Sequence, residues 1–309
     1  MMAGSRNIAV LGAGLMGHGI ALTFARAGHG VRVYDPSSAG LDSLHERVSS
    51  SLGAMGSETR EIDETVVRIT PDPEVATCVA GADFVFEAAP EKPDLKRTLF
   101  REVERFASSG AILASNTSVI PITTIVSDLE DKTRALGTHW WNPPHMIPLV
   151  EVIRTEWTAE TAVEETVGML SSVGKTPVRV EKDVAGFIGN RLQHAMWREA
   201  IYLVESGVCS AEAVDQVVNA SFGRRLSVLG PLANADLVGT DLTLDIHENV
   251  LADLDNRPTP SPYLRDLVTA GKLGMKSGEG FMSWTPEAME EVRQRVATHL
   301  RRLETILPD

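Results

Sequence analysis

The chain is expected to be an α/β protein, with a doubly wound, mostly parallel sheet followed by an all-helical C-terminal domain. Three observations lead there. Segment 7–35, NIAVLGAGLMGHGIALTFARAGHGVRVYD, runs strand, glycine turn, helix and second strand, all within ~30 residues. Short β-rich runs then alternate with helical stretches as far as residue 183, the pattern of a parallel sheet covered on both faces. Beyond it the alternation stops and helical spacing takes over, which divides 1–183, a Rossmann-type domain, from 184–309, a helical one.

The first strand is the apolar run from Ile8 to Leu11. Gly12, Gly14 and Gly17 follow in G-x-G-x-x-G spacing, with Leu15 and Met16 where the turn enters the helix. Gly12 permits the tight turn, Gly14 leaves bare backbone for a pyrophosphate, and Gly17 lets helix and sheet approach closely. Phosphates sit well at a helix N-terminus, where free N–H groups and the dipole favour an anion. The second strand ends at Asp35, eighteen positions after Gly17, where the dinucleotide fingerprint needs an acid for ribose hydroxyls. That carboxylate would repel a 2′-phosphate and no arginine follows it closely, so the cofactor expected is NAD.

Segment 42–64 reads as a polar helical hairpin, broken near Gly53 and Gly56; between 36 and 64 it holds six acids against Arg47 and Arg60. Its plain reading is a solvated excursion. Further strands are expected at 66–70, 84–87, 111–114, 135–138, 150–153 and 178–181, and helices at 94–107 and 159–173. The helical part divides into 187–205, 211–220, 231–254 and 263–270, punctuated by glycines. A tail at 286–307 sets Met289, Val292, Val296, Leu300 and Leu303 at helical spacing, with Glu291 and Arg295 as an i,i+4 pair.

Composition narrows the function. Hydrophobic residues at 43% and charged ones at 23% describe an ordinary globular chain. A net charge of −13 argues against nucleic acid or an anionic membrane as partner. Two cysteines, Cys78 and Cys209, make no disulfide framework, and no metal-ligand spacing surrounds them. The glycines and Arg26 interrupt what would otherwise pass for a signal peptide, so a cytoplasmic protein is expected.

Open α/β sheets bind ligands at the carboxyl ends of their strands. There the chain places Glu87 to Glu91 with Lys96, then Ser115-Asn116-Thr117-Ser118, then His139-Trp140-Trp141-Asn142-Pro143, then Val150-Glu151-Val152; Gly186-Phe187-Ile188-Gly189-Asn190-Arg191 follows the last strand. In this order, together with Gly274 to Phe281, these segments resemble the L-3-hydroxyacyl-CoA dehydrogenase family over nearly the whole chain. The resemblance implies His139 as general base paired with Glu151, and Ser118 and Asn190 on the reacting oxygen. It further implies contacts to the nicotinamide and its ribose from Glu91, Lys96, Ser118, Asn142 and Lys276, and a homodimer made through the helical domain. The chemistry fits those types: oxidising a secondary alcohol needs a proton acceptor at oxygen, and imidazole exchanges protons near neutrality.

Taken singly, each residue has a plainer reading. A strand-end histidine is often a hydrogen-bonded core residue, Ser118 can cap its own turn, Asn190 can cap a helix, and Glu151 can be a buried acid satisfied by any donor. Their coincidence beside a dinucleotide loop favours the enzyme over a non-catalytic NAD-binding protein. Two small-molecule substrate classes stay open. Family members that act on CoA thioesters carry lysines in the helical hairpin, whereas this chain has none before Lys92. Segment 142–152, NPPHMIPLVEV, is closer to relatives that oxidise free acids, such as gulonate dehydrogenase, or pyridine aldehyde acids.

Overall fold

The apolar runs of the first half form a single sheet. The computed structural model describes residues 4–306. Strands β1 (Asn7–Leu11), β2 (Gly30–Tyr34), β3 (Ile69–Asp72), β4 (Phe84–Glu87), β5 (Ile112–Ser115), β6 (Ala135–Trp140), β7 (Leu149–Ile153) and β8 (Thr176–Val180) lie in the order β3-β2-β1-β4-β5-β6-β7-β8. All neighbours pair in parallel except β6 and β7, which are antiparallel. Strands β4, β5 and β6 are buried at every position, as strands covered on both faces must be. Side chains alternate between faces. Ile8, Val10, Phe84 and Phe86 enter one apolar cluster with Phe24 and Trp140, while Ala9, Leu11 and Val85 enter the other with Phe100 and Ile125.

The covering helices are α1 (Leu15–Arg26), α2 (Ser38–Asp42), α3 (Leu44–Met55), α4 (Thr59–Val66), α5 (Val75–Val79), α6 (Pro93–Phe106), α7 (Ile122–Val126) and α8 (Glu160–Ser172). The hairpin expected after β2 is thus three helices, divided at Ser43 and at Gly56, whose φ is 88°. Helix α4 holds through Val66, so β3 starts at Ile69, later than the β-branched run alone suggests. Two short helices, α5 and α7, were not expected from composition.

The second unit contains α10 (Ala211–Ala220), α11 (Pro231–Val238), α12 (Thr240–Val250), α13 (Pro262–Thr269) and α14 (Pro286–Ile306), and α9 (Gly189–Glu205) runs into it. Gly239, with φ 103°, divides the expected helix 231–254 into α11 and α12. Helix α9 starts later than expected because Gly186 and Phe187 are left-handed, with φ 76° and 50°. Leu307, expected in the tail helix, lies outside the described residues. Two compact units are present, the first running to Arg191; residues 188–190 hydrogen-bond to Glu151 and to Ser118 within it.

Space fixes Gly17 but not Gly14. A Cβ on Gly17 would stand 1.7 Å from the Gly12 carbonyl oxygen, whereas a Cβ on Gly14 would meet nothing within 4 Å. Gly17→Ala is therefore expected to destabilise the fold by about 3 kcal/mol, the upper range for overpacking, seen as a lower thermal midpoint. Gly14→Ala should melt like the parent yet bind NADH more weakly in a fluorescence titration, because its methyl group projects into the open space above the loop.

Candidate active site

The site is built where β1, β4, β5 and β6 end. Gly12 N–H donates to the Tyr34 carbonyl at 2.7 Å, joining the glycine loop to the end of β2. Asp35, next in the chain, accepts from the Ala13 amide at 2.7 Å and from the Ser37 amide at 2.9 Å. Its carboxylate therefore lies against the loop that precedes α1. Gly14 and Leu15 are exposed, Met16 is half-buried, and Gly17 is buried. Since β1 has β2 on one side and β4 on the other, the crossovers diverge here and leave the crevice in which such sheets take a dinucleotide. The bare loop, the α1 N-terminus and the half-buried acid fit NAD.

A chain of paired charges supports the next two strand ends. Glu87, fully buried, accepts from the Lys96 ammonium (2.6 Å), the Ser115 hydroxyl (2.6 Å) and the Ala89 amide (2.7 Å). Lys96 also reaches the Ala89 carbonyl at 3.1 Å and Glu91 at 3.4 Å. The Lys96 side chain is 0% exposed, and a buried ammonium is held by the carboxylates that neutralise it. One of these is Glu91. That carboxylate accepts from the Thr117 hydroxyl and from the Ser118 (2.9 Å) and Val119 (3.2 Å) amides. Burial pushes the Glu91 carboxyl up, but Thr117, Lys96 and the two amides outweigh it and leave it below the ordinary carboxylate range. Ser118 is exposed on the loop so pinned.

His139 and Glu151 face each other across the antiparallel pair β6–β7, in register. His139 Nδ1 lies 2.7 Å from Glu151 Oε2, and the residues are 3% and 1% exposed. Glu151 Oε1 accepts from the Ile188 (2.8 Å) and Gly189 (3.1 Å) amides, which the left-handed turn at Gly186 and Phe187 brings round. Burial pushes the Glu151 carboxyl up; the bonds from His139, Gly189 and Ile188 more than offset this and hold it below the ordinary range. Among the described residues, His139 Nε2 has no hydrogen-bond partner. Trp141 and Phe187 flank the imidazole at 5.2 and 5.6 Å between ring centroids. Gly189 is required here, because a Cβ would stand 2.4 Å from Trp141 Cζ2. Asn190 donates through Nδ2 to the Ser118 carbonyl at 2.9 Å, which brings the two oxygen-binding candidates together.

Asn142 is exposed at the end of β6, before the turn to β7. Lys276 belongs to the second unit, exposed in the bridged loop from Gly274 to Glu279. Among the described residues no group of His, Cys, Asp and Glu could hold a metal. Burial pushes the Cys78 thiol up to about 12, which leaves it inert as a nucleophile. Three supporting residues escaped the sequence reading. Glu87 could have been found, since an acid closing an apolar strand demands a partner. Asn116, whose Oδ1 accepts from the Trp140 amide at 2.9 Å, and Thr117 could not, because their partners are set by loop geometry.

Residues 7–184 match the model for the 3-hydroxyacyl-CoA dehydrogenase NAD binding domain, and residues 186–284 that for the C-terminal domain. The chain is 38% identical to 5-formyl-3-hydroxy-2-methylpyridine 4-carboxylate 5-dehydrogenase of Mesorhizobium japonicum, covering 96% of this chain and 98% of that one. It is also 38% identical to a probable 3-hydroxybutyryl-CoA dehydrogenase of Bacillus subtilis, covering 90% and 97%. A crystal structure of a dehydrogenase of the same pyridine carboxylic acid, described as an NAD+ dependent dismutase, superposes with a TM-score of 0.90 at 36% identity over 98% of each chain.

The dyad makes two predictions. His139→Ala should lower turnover by ~10²-fold or more while NADH titration still shows binding. Glu151→Gln should lower kcat far more than it raises KM. The native carboxyl is shifted below its ordinary range, so its stabilisation is complete above that range and is lost as the pH falls through the shifted value. The gap in thermal midpoint between the parent and Glu151→Gln should therefore be widest at neutral pH and close on acidification.

Proposed function

The chain belongs to the 3-hydroxyacyl-CoA dehydrogenase family, and from that membership we propose that it oxidises a carbon-bound hydroxyl of a free small acid, taken up without a CoA carrier. It is an NAD-dependent dehydrogenase acting on a CH–OH group. Bound NAD supplies the hydride acceptor; this chain's residues supply placement and proton transfer. With Nδ1–H of His139 committed to Glu151, the free lone pair is on Nε2, and the hydroxyl proton is received there. Glu151 fixes that tautomer and balances the imidazolium. The Ser118 hydroxyl and the remaining Asn190 N–H hold the substrate oxygen as its charge changes. Gly12, Gly14 and Gly17, with Leu15 and Met16, cradle the pyrophosphate; Asp35 takes the ribose hydroxyls; Glu91, Asn142 and Lys276 serve the nicotinamide half.

One observation carries the substrate reading: both basic side chains of the hairpin already have partners. Arg47 donates to the Gly40 carbonyl at 2.8 Å, and Arg60 pairs with Glu64 at 2.7 Å. CoA phosphates need charge-assisted donors, and this hairpin, with six carboxylates, offers them repulsion. The near full-length likeness to the pyridine carboxylate dehydrogenase supports the same reading. A hydrated aldehyde presents the same H–C–OH unit as an alcohol, so an aldehyde acid fits this machinery equally well.

The reading places the enzyme in the cytoplasm as a homodimer joined through its helical unit. Both cysteines are free. No helix among the described residues is long and apolar enough to cross a membrane. Leu232 and Leu237 stand 80% and 73% exposed on α11, apolar surface of the sort a partner covers.

NADH absorbance should rise saturably with members of a panel of free hydroxy acids and aromatic aldehyde acids, and 3-hydroxybutyryl-CoA should be a poor substrate. Efficient, saturable oxidation of the thioester would overturn the CoA-free reading and leave the dyad chemistry intact.

A further inference from the structure

Helix α14 is the one long element that lies outside the family's shared domains, whose match ends at residue 284. At 21 residues it is about 31 Å long. Its apolar positions recur every three or four residues, yet the chain does not bury them: Val296 is 52% exposed and Ile306 68%, while Met289, Val292, Leu300 and Leu303 are only half-buried. A helix with an apolar stripe of this kind is stabilised by a surface that covers it.

The same unit has an apolar groove of about 320 Å³, lined by Trp197, Ile201 and Val204 of α9, Val214 and Asp215 of α10, and Phe281. We propose that α14 docks in this groove on a second copy of the chain, each copy giving one helix and receiving one. Its own groove is out of reach. Phe281 and Met282 line it, and only residues 283–285 separate them from α14. Those residues are fixed: Glu279 bridges Ser283, the Gly280 amide donates to the Met282 carbonyl at 2.9 Å, and the Trp284 amide donates to the Gly278 carbonyl at 2.8 Å. Folding back would break these bonds.

Charge favours the second half of this helix over α12. Asp215 lines the groove and Glu212 precedes it on α10, both exposed. Residues 295–303 of α14 carry Arg295, His299, Arg301 and Arg302 and no acid. Helix α12, also apolar and exposed, carries Asp241, Asp245 and Glu248 and no Lys or Arg, so it would meet the groove with like charge. Reciprocal exchange closes with two-fold symmetry and leaves no open end to propagate. The inference shares with the homodimer reading only the need for a second copy.

The test uses the full chain with Cys209→Ser. One preparation carries Val296→Cys and a size tag, another carries Val214→Cys, and a third carries both; NADH binding confirms that each is folded. After mixing and treatment with a short bismaleimide, the expected product is a covalent dimer of one tagged and one untagged copy. Cross-linking confined within single copies of the doubly substituted chain, or no cross-link in any sample, overturns the exchange. Light scattering separates the two readings: a dimer mass with either of those outcomes leaves the homodimer standing without the exchanged helix, whereas a monomer mass removes both.

Discussion

The interaction on which the site depends is the hydrogen bond between His139 and Glu151, made inside the sheet unit where neither side chain has appreciable contact with water. An isolated carboxylate at that depth is several kcal/mol too costly to keep. It is tolerated because both of its oxygens are committed, one to the imidazole and the other to two backbone amides at the head of α9. Such a carboxylate has little freedom to turn, and neither has the imidazole it holds. The antiparallel pairing of β6 and β7, the departure from an otherwise parallel run through β6, is what puts the two side chains on one face at one level.

A second buried pair does comparable work on the other side of the crevice. Glu87 and Lys96 are satisfied below the surface by each other, by Ser115 and by the backbone of Ala89, and Glu91 links Lys96 to the loop that presents Ser118. The two networks meet at the contact between Asn190 and the Ser118 carbonyl. The positions of His139 and of the Ser118 loop are therefore not independent: both follow from buried, hydrogen-bonded carboxylates whose contacts low dielectric makes strong when complete and costly when broken. This accounts for the amount of charge under an otherwise apolar sheet.

How much of this the sequence disclosed depends on how local the cause is. The glycine loop, Asp35 and the β1–α1–β2 order were legible because each glycine answers a steric need that no other residue meets, as the Gly17 contact with Gly12 demonstrates. The pairing of His139 with Glu151 was implied by the family resemblance; the antiparallel register that makes it was not legible. Nor was helix α7. Its sequence, ITTIV, favours a strand, and its first amides are capped by Asp183, some sixty positions later in the chain. Helix α5, VATCV, has the same character: burial of Val75, Cys78 and Val79 decides its conformation against its propensity. The resemblance named Lys96, but its burial between Glu87 and Glu91 was not legible, because sequence spacing does not reveal which way a side chain faces.

The start of α9 joins these observations. Within four residues it supplies two amides to Glu151, the glycine that admits Trp141, and the side chain that holds the Ser118 loop. The turn that aims it requires two successive left-handed residues, one of them the non-glycine Phe187, which is buried against His139. A left-handed phenylalanine is unfavourable by roughly 1–2 kcal/mol, and it persists because burial of its ring and the amide bonds to Glu151 offset that strain. The helix then continues past Arg191 into the second unit. Any displacement of α9 at its head would thus be felt first as a change in the bonds to Glu151, and so in the orientation of His139, before it disturbed the sheet.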